Sequence, residues 1–149
     1  MAKMVKTKKI KKNDEYFIHL KVSSDSKETV EIKVDQEQLN MILWNLCLNK
    51  MLYRKDGPSI HSEDGSQEIW MRDGEFHRVG GPAVINQSIK EYRVNGRMFD
   101  ITTEAEDYII KCIESDDFSK NDLALFLTDE NEYIRKAAKK IIKIAKKIS

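Results

Sequence analysis

Hydrophobic and polar positions change period along this chain. Tyr16-Phe17-Ile18-His19-Leu20-Lys21-Val22 and Thr29-Val30-Glu31-Ile32-Lys33-Val34 alternate, with a Ser-Ser-Asp-Ser-Lys turn between them. Alternation sends successive side chains to opposite faces, so the two runs predict an antiparallel hairpin. Ile32 and Val34 are expected to face inward, and His19, out of phase with its apolar neighbours, to face solvent. Asp35-x-x-Gln38 is a capping box, and it opens a helix predicted to run to about Lys50. Leu39, Ile42, Leu43, Leu46 and Cys47 form one stripe, and Met41, Trp44 and Leu48 a second. A helix apolar on nearly all sides is expected to be buried on nearly all sides.

Between Arg54 and Phe99 the period gives way to a short pattern that occurs twice. Arg54-Lys55-Asp56-Gly57-Pro58-Ser59-Ile60 is answered by Arg78-Val79-Gly80-Gly81-Pro82-Ala83-Val84, 24 residues on. Trp70-Met71-Arg72-Asp73-Gly74 is answered by Tyr92-Arg93-Val94-Asn95-Gly96, 22 residues on. Asp-Gly and Asn-Gly between short apolar runs signal type I′ hairpin turns, whose central residues both need positive φ. The register then sets Met71 against Phe76, Trp70 against His77, Tyr92 against Phe99 and Arg93 against Met98. Each copy would present one aromatic pair at matching places, Trp70/His77 and Tyr92/Phe99.

After the repeats the helical period returns. Thr103-x-x-Glu106, Ser119-x-x-Asp122 and Asp129-x-x-Glu132 predict three helix starts. The first helix carries Ala105, Tyr108, Ile109, Cys112 and Ile113 on one face; the second carries Leu123, Ala124, Phe126 and Leu127. In the third, Ile134, Ala137, Ala138, Ile141, Ile142 and Ala145 make one stripe. The fold class expected is α+β: an N-terminal β-hairpin with a buried helix (14–50), central antiparallel hairpin repeats (51–100) and a C-terminal segment of three helices (101–149).

Charge changes the picture at the two ends. The chain carries a net +1, yet residues 1–12 hold six lysines and residues 133–149 hold seven Lys or Arg, neither with an acid; residues 13–132 therefore net −12. Residues 1–13 are expected to form a flexible basic tail. Lys8, Lys9, Lys11 and Lys12 in the tail, with Lys136, Lys139, Lys140 and Lys143 on the last helix, are candidate nucleic-acid contacts. Their alternative role is solvation, with helix cations favourably placed near the C-terminus of the helix dipole. No apolar run approaches the roughly 18 residues needed to span a bilayer, so no membrane partner is expected. Cys47 and Cys112 are too few and too far apart for a Cys-x-x-Cys site and are expected to be buried free thiols, fitting a reducing cytoplasm.

No catalytic arrangement emerges. His61 and His77 lack a companion Cys or His at helical or finger spacing, so neither a metal nor another cofactor is expected. Asp56, Asp64 and Asp73 are turn residues, where Asp bonds its own backbone. Gly80-Gly81-Pro82 lacks the lysine and the following helix of a phosphate loop.

The repeat resembles the "His-Arg-x-Asp-Gly-Pro-Ala … Asp-Gly-Ser-x-x-Trp … Asn-Gly" unit of many bacterial and bacteriophage proteins, itself distantly similar to the MORN repeat. Arg54, Asp56, Gly57, Pro58, Asp64, Gly65, Ser66, Trp70 and Gly74 carry the likeness in the first copy. His77, Arg78, Gly81, Pro82, Ala83, Tyr92, Asn95 and Gly96 carry it in the second. The chain departs from the unit at Gly80, where Asp is usual, and at Asn86-Gln87-Ser88, where the Asp-Gly-Ser turn is lost. MORN's own Gly-x-Gly pattern is absent, so the lipid binding of some MORN proteins does not transfer. Leu123 to Ile142 resembles a single HEAT-type repeat, which must dock on the body or on another copy of the chain. The resemblance implies a scaffold: a non-enzymatic, cytoplasmic protein-interaction module of bacteriophage type. Trp70, Tyr92, His77 and Phe99 are then the expected partner contacts, and the nucleic-acid role is the alternative.

Overall fold

The computed structural model describes residues 15–148; the basic tail predicted for residues 1–13, with Lys8, Lys9, Lys11 and Lys12, lies outside the described residues. The protein is α+β. Its strands are β1 (Glu15–Lys21), β2 (Thr29–Asp35), β3 (Ile60–Ser62), β4 (Gln67–Ile69), β5 (Met71–Arg72), β6 (Glu75–Phe76), β7 (Val84–Asn86), β8 (Ile89–Val94) and β9 (Arg97–Phe99). Its helices are α1 (Gln36–Trp44), α2 (Leu46–Met51), α3 (Ile101–Glu114), α4 (Lys120–Leu127) and α5 (Glu132–Ile148). Described residues fall into two compact units, one of residues 15–75 with 85–89 and the other of 76–84 with 90–148. The division falls inside the repeat region rather than at either of its predicted ends.

In the first unit β1 is central, paired antiparallel with β2 on one side and β3 on the other, and β4 extends β3. The predicted hairpin is present, with Ile18 opposite Ile32 and His19 opposite Glu31. Val34 is buried but Ile32, two residues away and on the same face of β2, is 41% exposed, so cover over this edge strand is confined to its Val34 end. Ile18, Leu52 and Ile60 are fully enclosed, with Tyr16, Val34, Leu39 and Met71 around them.

Asp35 caps α1 through the Gln38 amide (2.8 Å) and Gln38 returns the bond to Asp35, as the capping box requires. The single long helix to Lys50 is not formed. At Asn45 the backbone is extended (φ −92°, ψ 109°) and its side chain accepts from the Leu48 amide, starting α2 as a new helix. Asparagine competes with helix continuation by capping, which is what breaks this one. Of α1 only Leu39 is buried, and of α2 nothing. The expectation of an all-round buried helix is overturned, and Cys47 is exposed rather than buried.

The repeat turns are as the sequence predicts. Asp73 and Gly74 have φ of 53° and 81°, and Asn95 and Gly96 have 50° and 84°. Tyr92 faces Phe99 and Arg93 faces Met98. The Arg-x-x-Gly-Pro segment acquires a physical reason: in both copies the arginine folds back over the glycine. A Cβ on Gly57 would lie 2.8 Å from the Arg54 guanidinium carbon, and one on Gly81 also 2.8 Å from that of Arg78. Arg78 completes the clasp by donating from Nη1 to the Pro82 carbonyl at 3.0 Å.

The second unit packs β8, β9 and the three helices around Tyr108. Its ring meets Tyr92, Phe99 and Phe126 edge-on, at centroid distances of 5.2, 5.7 and 6.1 Å, the geometry that ring quadrupoles favour. The Tyr108 hydroxyl donates to the Gly81 carbonyl (2.8 Å) and accepts from the Gly81 amide (3.0 Å), so the buried polar end is satisfied. Ala105, Ile109, Cys112, Ile134, Ala137 and Ala138 complete the core as their stripes predict; Ile113 and Ala145 are exposed. Burial pushes the Cys112 thiol up to about 12.

Two helix starts differ from expectation. α3 is capped by Asp100, which accepts from Thr102, rather than by Thr103. α5 is capped by Asn131, which accepts from the amides of Tyr133 and Ile134, while Asp129 accepts from Tyr92. Ser119 and Asp122 pair as predicted.

Candidate functional site

The four aromatic-face residues do not form a surface. Tyr92 is 5% exposed, Phe99 4% and His77 4%. Tyr92 and Phe99 belong to the core around Tyr108, and the Tyr92 hydroxyl donates to Asp129 at 2.8 Å. Burial and that carboxylate hold the phenol well above its ordinary range. His77 accepts at Nδ1 from the Asn95 amide (3.0 Å), which places its proton on Nε2, 2.9 Å from Asp117. Trp70 lies between β4 and β5, outside any ladder, half-buried, with its indole nitrogen donating to Glu68 at 3.3 Å. Trp70 and His77 both lie outside the strands, and Tyr92, Phe99 and His77 are buried.

What the structure exposes is the corner between α1 and α2. Met41 is 68% exposed, Trp44 86%, Leu46 76% and Leu48 40%, all within eight residues, with the Cys47 thiol among them. Met41 and Trp44 stand on α1 before the Asn45 break, and Leu46, Cys47 and Leu48 on α2 after it. Full burial of each would be worth about 1.5–3 kcal/mol, so leaving the corner in water forgoes several kcal/mol. The signal was present in the sequence as a helix with more apolar faces than neighbours to cover them.

The basic helix is partly neutralised. Lys140 lies 3.1 Å from Glu106 and Lys136 3.8 Å from Glu132. Lys139 and Lys143 are exposed and make no ion pair among the described residues.

Turn carboxylates are explained locally. Asp64 accepts from the Ser62 hydroxyl, the Ser66 amide and the Ser66 hydroxyl, and these bonds lower it to about 2. Such an acid serves the turn and is a poor proton donor near neutral pH.

One group of side chains was missed. His19, expected on the solvent face, is 7% exposed: β3 pairs with β1 and brings the His61 ring against it. It lies beside Glu31 and His61, and burial, then Arg54, hold its imidazole below the usual histidine range against the opposing pull of Glu31. His61, half-buried, stacks on Phe17 and His19 at 5.3 and 5.7 Å.

No described helix is long and apolar enough to cross a membrane. No protein-family model matches the chain, and neither a curated protein nor a solved structure matches it at a significant level.

Proposed function

We propose that this protein is a non-enzymatic protein-interaction module whose partner seats the Met41-Trp44-Leu46-Leu48 corner. The carrying observation is the 86% exposure of Trp44 amid three exposed apolar neighbours; large rigid aromatics set in apolar surroundings dominate protein–protein affinity. Residues 13–132 net −12, so the complementary surface is an apolar pocket with a cationic rim. The hairpin repeat's likeness to units of bacteriophage proteins supports an accessory or host-interaction role.

The second reading, nucleic-acid binding through the lysine-rich ends, has the amphipathic α5 in its favour. Engaging all eight candidate lysines would give a salt slope of about −7, and the six other than the ion-paired Lys136 and Lys140 about −5. Affinity purification from the native source with Trp44→Ala alongside the parent tests both readings. Recovery of one stoichiometric protein, lost in the variant and indifferent to nuclease, is expected. Equal recovery by both proteins would remove the corner from consideration, and nuclease-sensitive recovery would favour α5. Concentration-dependent self-association lost in Trp44→Ala would make the partner a second copy of this chain.

A further inference from the structure

We propose that His19, Glu31 and His61 form a divalent transition-metal site of the zinc class on one face of the β2–β1–β3 sheet. The register places them there. His19 and Glu31 are directly opposed on β1 and β2, and His61 of β3 faces Phe17, two residues from His19. Residues two apart on a strand share a face, so three chains converge on it from three adjacent strands.

The spacing is that of a coordination sphere. One ligand atom from each residue lies within 4.8 Å of the others. His19 Nε2 and Glu31 Oε2 are 3.3 Å apart, close to the edge of a tetrahedron with bonds of about 2.0–2.1 Å. A metal would shorten the remaining separations by side-chain rotation, leaving the backbone in place.

A second, independent observation points into the same spot. The His19 side chain is 9% exposed, and its Nε2 is buried without a hydrogen-bond partner among the described residues. Buried polar atoms are nearly always satisfied, and leaving one unsatisfied is costly. Its nearest anionic atom, Glu31 Oε2, approaches without hydrogen-bond alignment, which is how two ligands of one ion stand to each other. His61 Nδ1 lies 3.4 Å from the Ser62 carbonyl; donation there would leave the lone pair on Nε2 for a metal, as is usual for ligating histidines.

Two imidazoles and one carboxylate suit zinc, cobalt or nickel, and not the hard ions that prefer all-oxygen shells. Glu31 is half exposed, so the fourth position opens to water and provides the entry path. The Arg54 cation beside His19 opposes the metal's charge, and Glu31 offsets it.

The test titrates Zn²⁺, and Co²⁺ as a visible probe, into the full chain carrying Cys47→Ser, which removes the exposed thiol as a competing ligand. One ion per chain is expected, with cobalt d–d bands of a nitrogen–oxygen site and a raised melting temperature. His61→Gln, at a half-exposed position, should abolish binding while circular dichroism stays unchanged. Glu31→Gln should weaken binding at least tenfold. His19→Gln should also abolish it, and should it fail to fold, the other two variants decide the matter. Absence of binding at micromolar metal, or binding indifferent to His61→Gln and Glu31→Gln, overturns the site.

Discussion

Arg54–Gly74 and Arg78–Gly96 carry one pattern, and each builds it differently. Both fold an arginine over a glycine, and both close on a turn with two positive-φ residues. In the second copy β8 runs unbroken for six residues, and Ala83 donates its amide to the Glu91 carbonyl at 2.7 Å. In the first the equivalent strand breaks at Trp70 into β4 and β5. There the Ser59 hydroxyl, in Ala83's place, accepts from the Met71 amide (3.0 Å) and donates to the Met71 carbonyl (3.2 Å). A side chain thus replaces a ladder bond. Packing differs too: the second copy's aromatics lie in a core with three helices, while the first buries Ile60 and Met71 and adds side-chain bonds from Ser59, Ser62 and Asp64. The repeat specifies turns and a clasp; what packs on each copy decides which residues become core.

The sharpest break of this comparison is at Trp70 and Tyr92, which occupy equivalent places. Tyr92→Ala should cost about 3–5 kcal/mol, since it empties a fully packed site and removes one of the donors to Asp129, which keeps the Asn131 amide. Trp70→Ala should cost about 1–2 kcal/mol despite removing the larger ring, because that ring is only partly buried. Chemical denaturation of both variants checks the order. Equal losses would mean that the first copy's indole is core as well.

Ser59 comes next. Ser59→Ala leaves a buried amide and carbonyl of Met71 without this partner and should cost about 1–3 kcal/mol, although it makes the first copy's sequence more like the second. Hydrogen exchange at the Met71 amide should accelerate in step. A neutral result would show that β5 does not depend on the hydroxyl.

How much of this was legible in the sequence divides along the same line as local and distant contacts. The β1–β2 hairpin, both I′ turns, the Tyr92–Phe99 register and the stripes around Tyr108 and Ile134 follow from period and turn chemistry, which act over a few residues. Burial does not. Tyr92 and Phe99 looked like a presentable face because nothing in their alternation reveals that α3 covers them. His19 looked solvent-facing because pairing with β3 is set 40 residues away. Met41 and Trp44 looked buried because apolar pattern reports what a residue prefers, and not whether a neighbour is there to cover it. The Asn45 break was readable in principle: an asparagine inside an apolar helical run is a capping residue, and it competes with the helix around it.

A smaller contrast lies in the clasps. Gly81→Ala must push the Arg78 guanidinium aside and break its bond to Pro82, and should cost about 1–2 kcal/mol. Gly57→Ala displaces Arg54, which makes no such bond among the described residues, and should cost less than half as much. Thermal melts of the pair decide it, and reversed order would show that Arg54 is the better-anchored arginine.

The smallest effect concerns the turn the second copy appeared to have lost. Gly65 has φ of 77°, and its counterpart Gln87 adopts 54°, so the left-handed turn persists with a residue that resists it. For an L-residue that conformation costs about 1–2 kcal/mol. Gln87→Gly relieves the strain but adds freedom to the unfolded chain worth about 0.4–1 kcal/mol, for a net stabilisation of about 0.5–1 kcal/mol. Gly65→Gln is the reciprocal change, and a Cβ at Gly65 would meet nothing within 4 Å, so its cost is backbone strain alone. The two variants should shift stability by similar amounts in opposite directions, measured by denaturation under one set of conditions. If Gln87→Gly destabilises instead, the glutamine side chain contributes more than its backbone costs, and the two turns are alike in shape but not in what holds them.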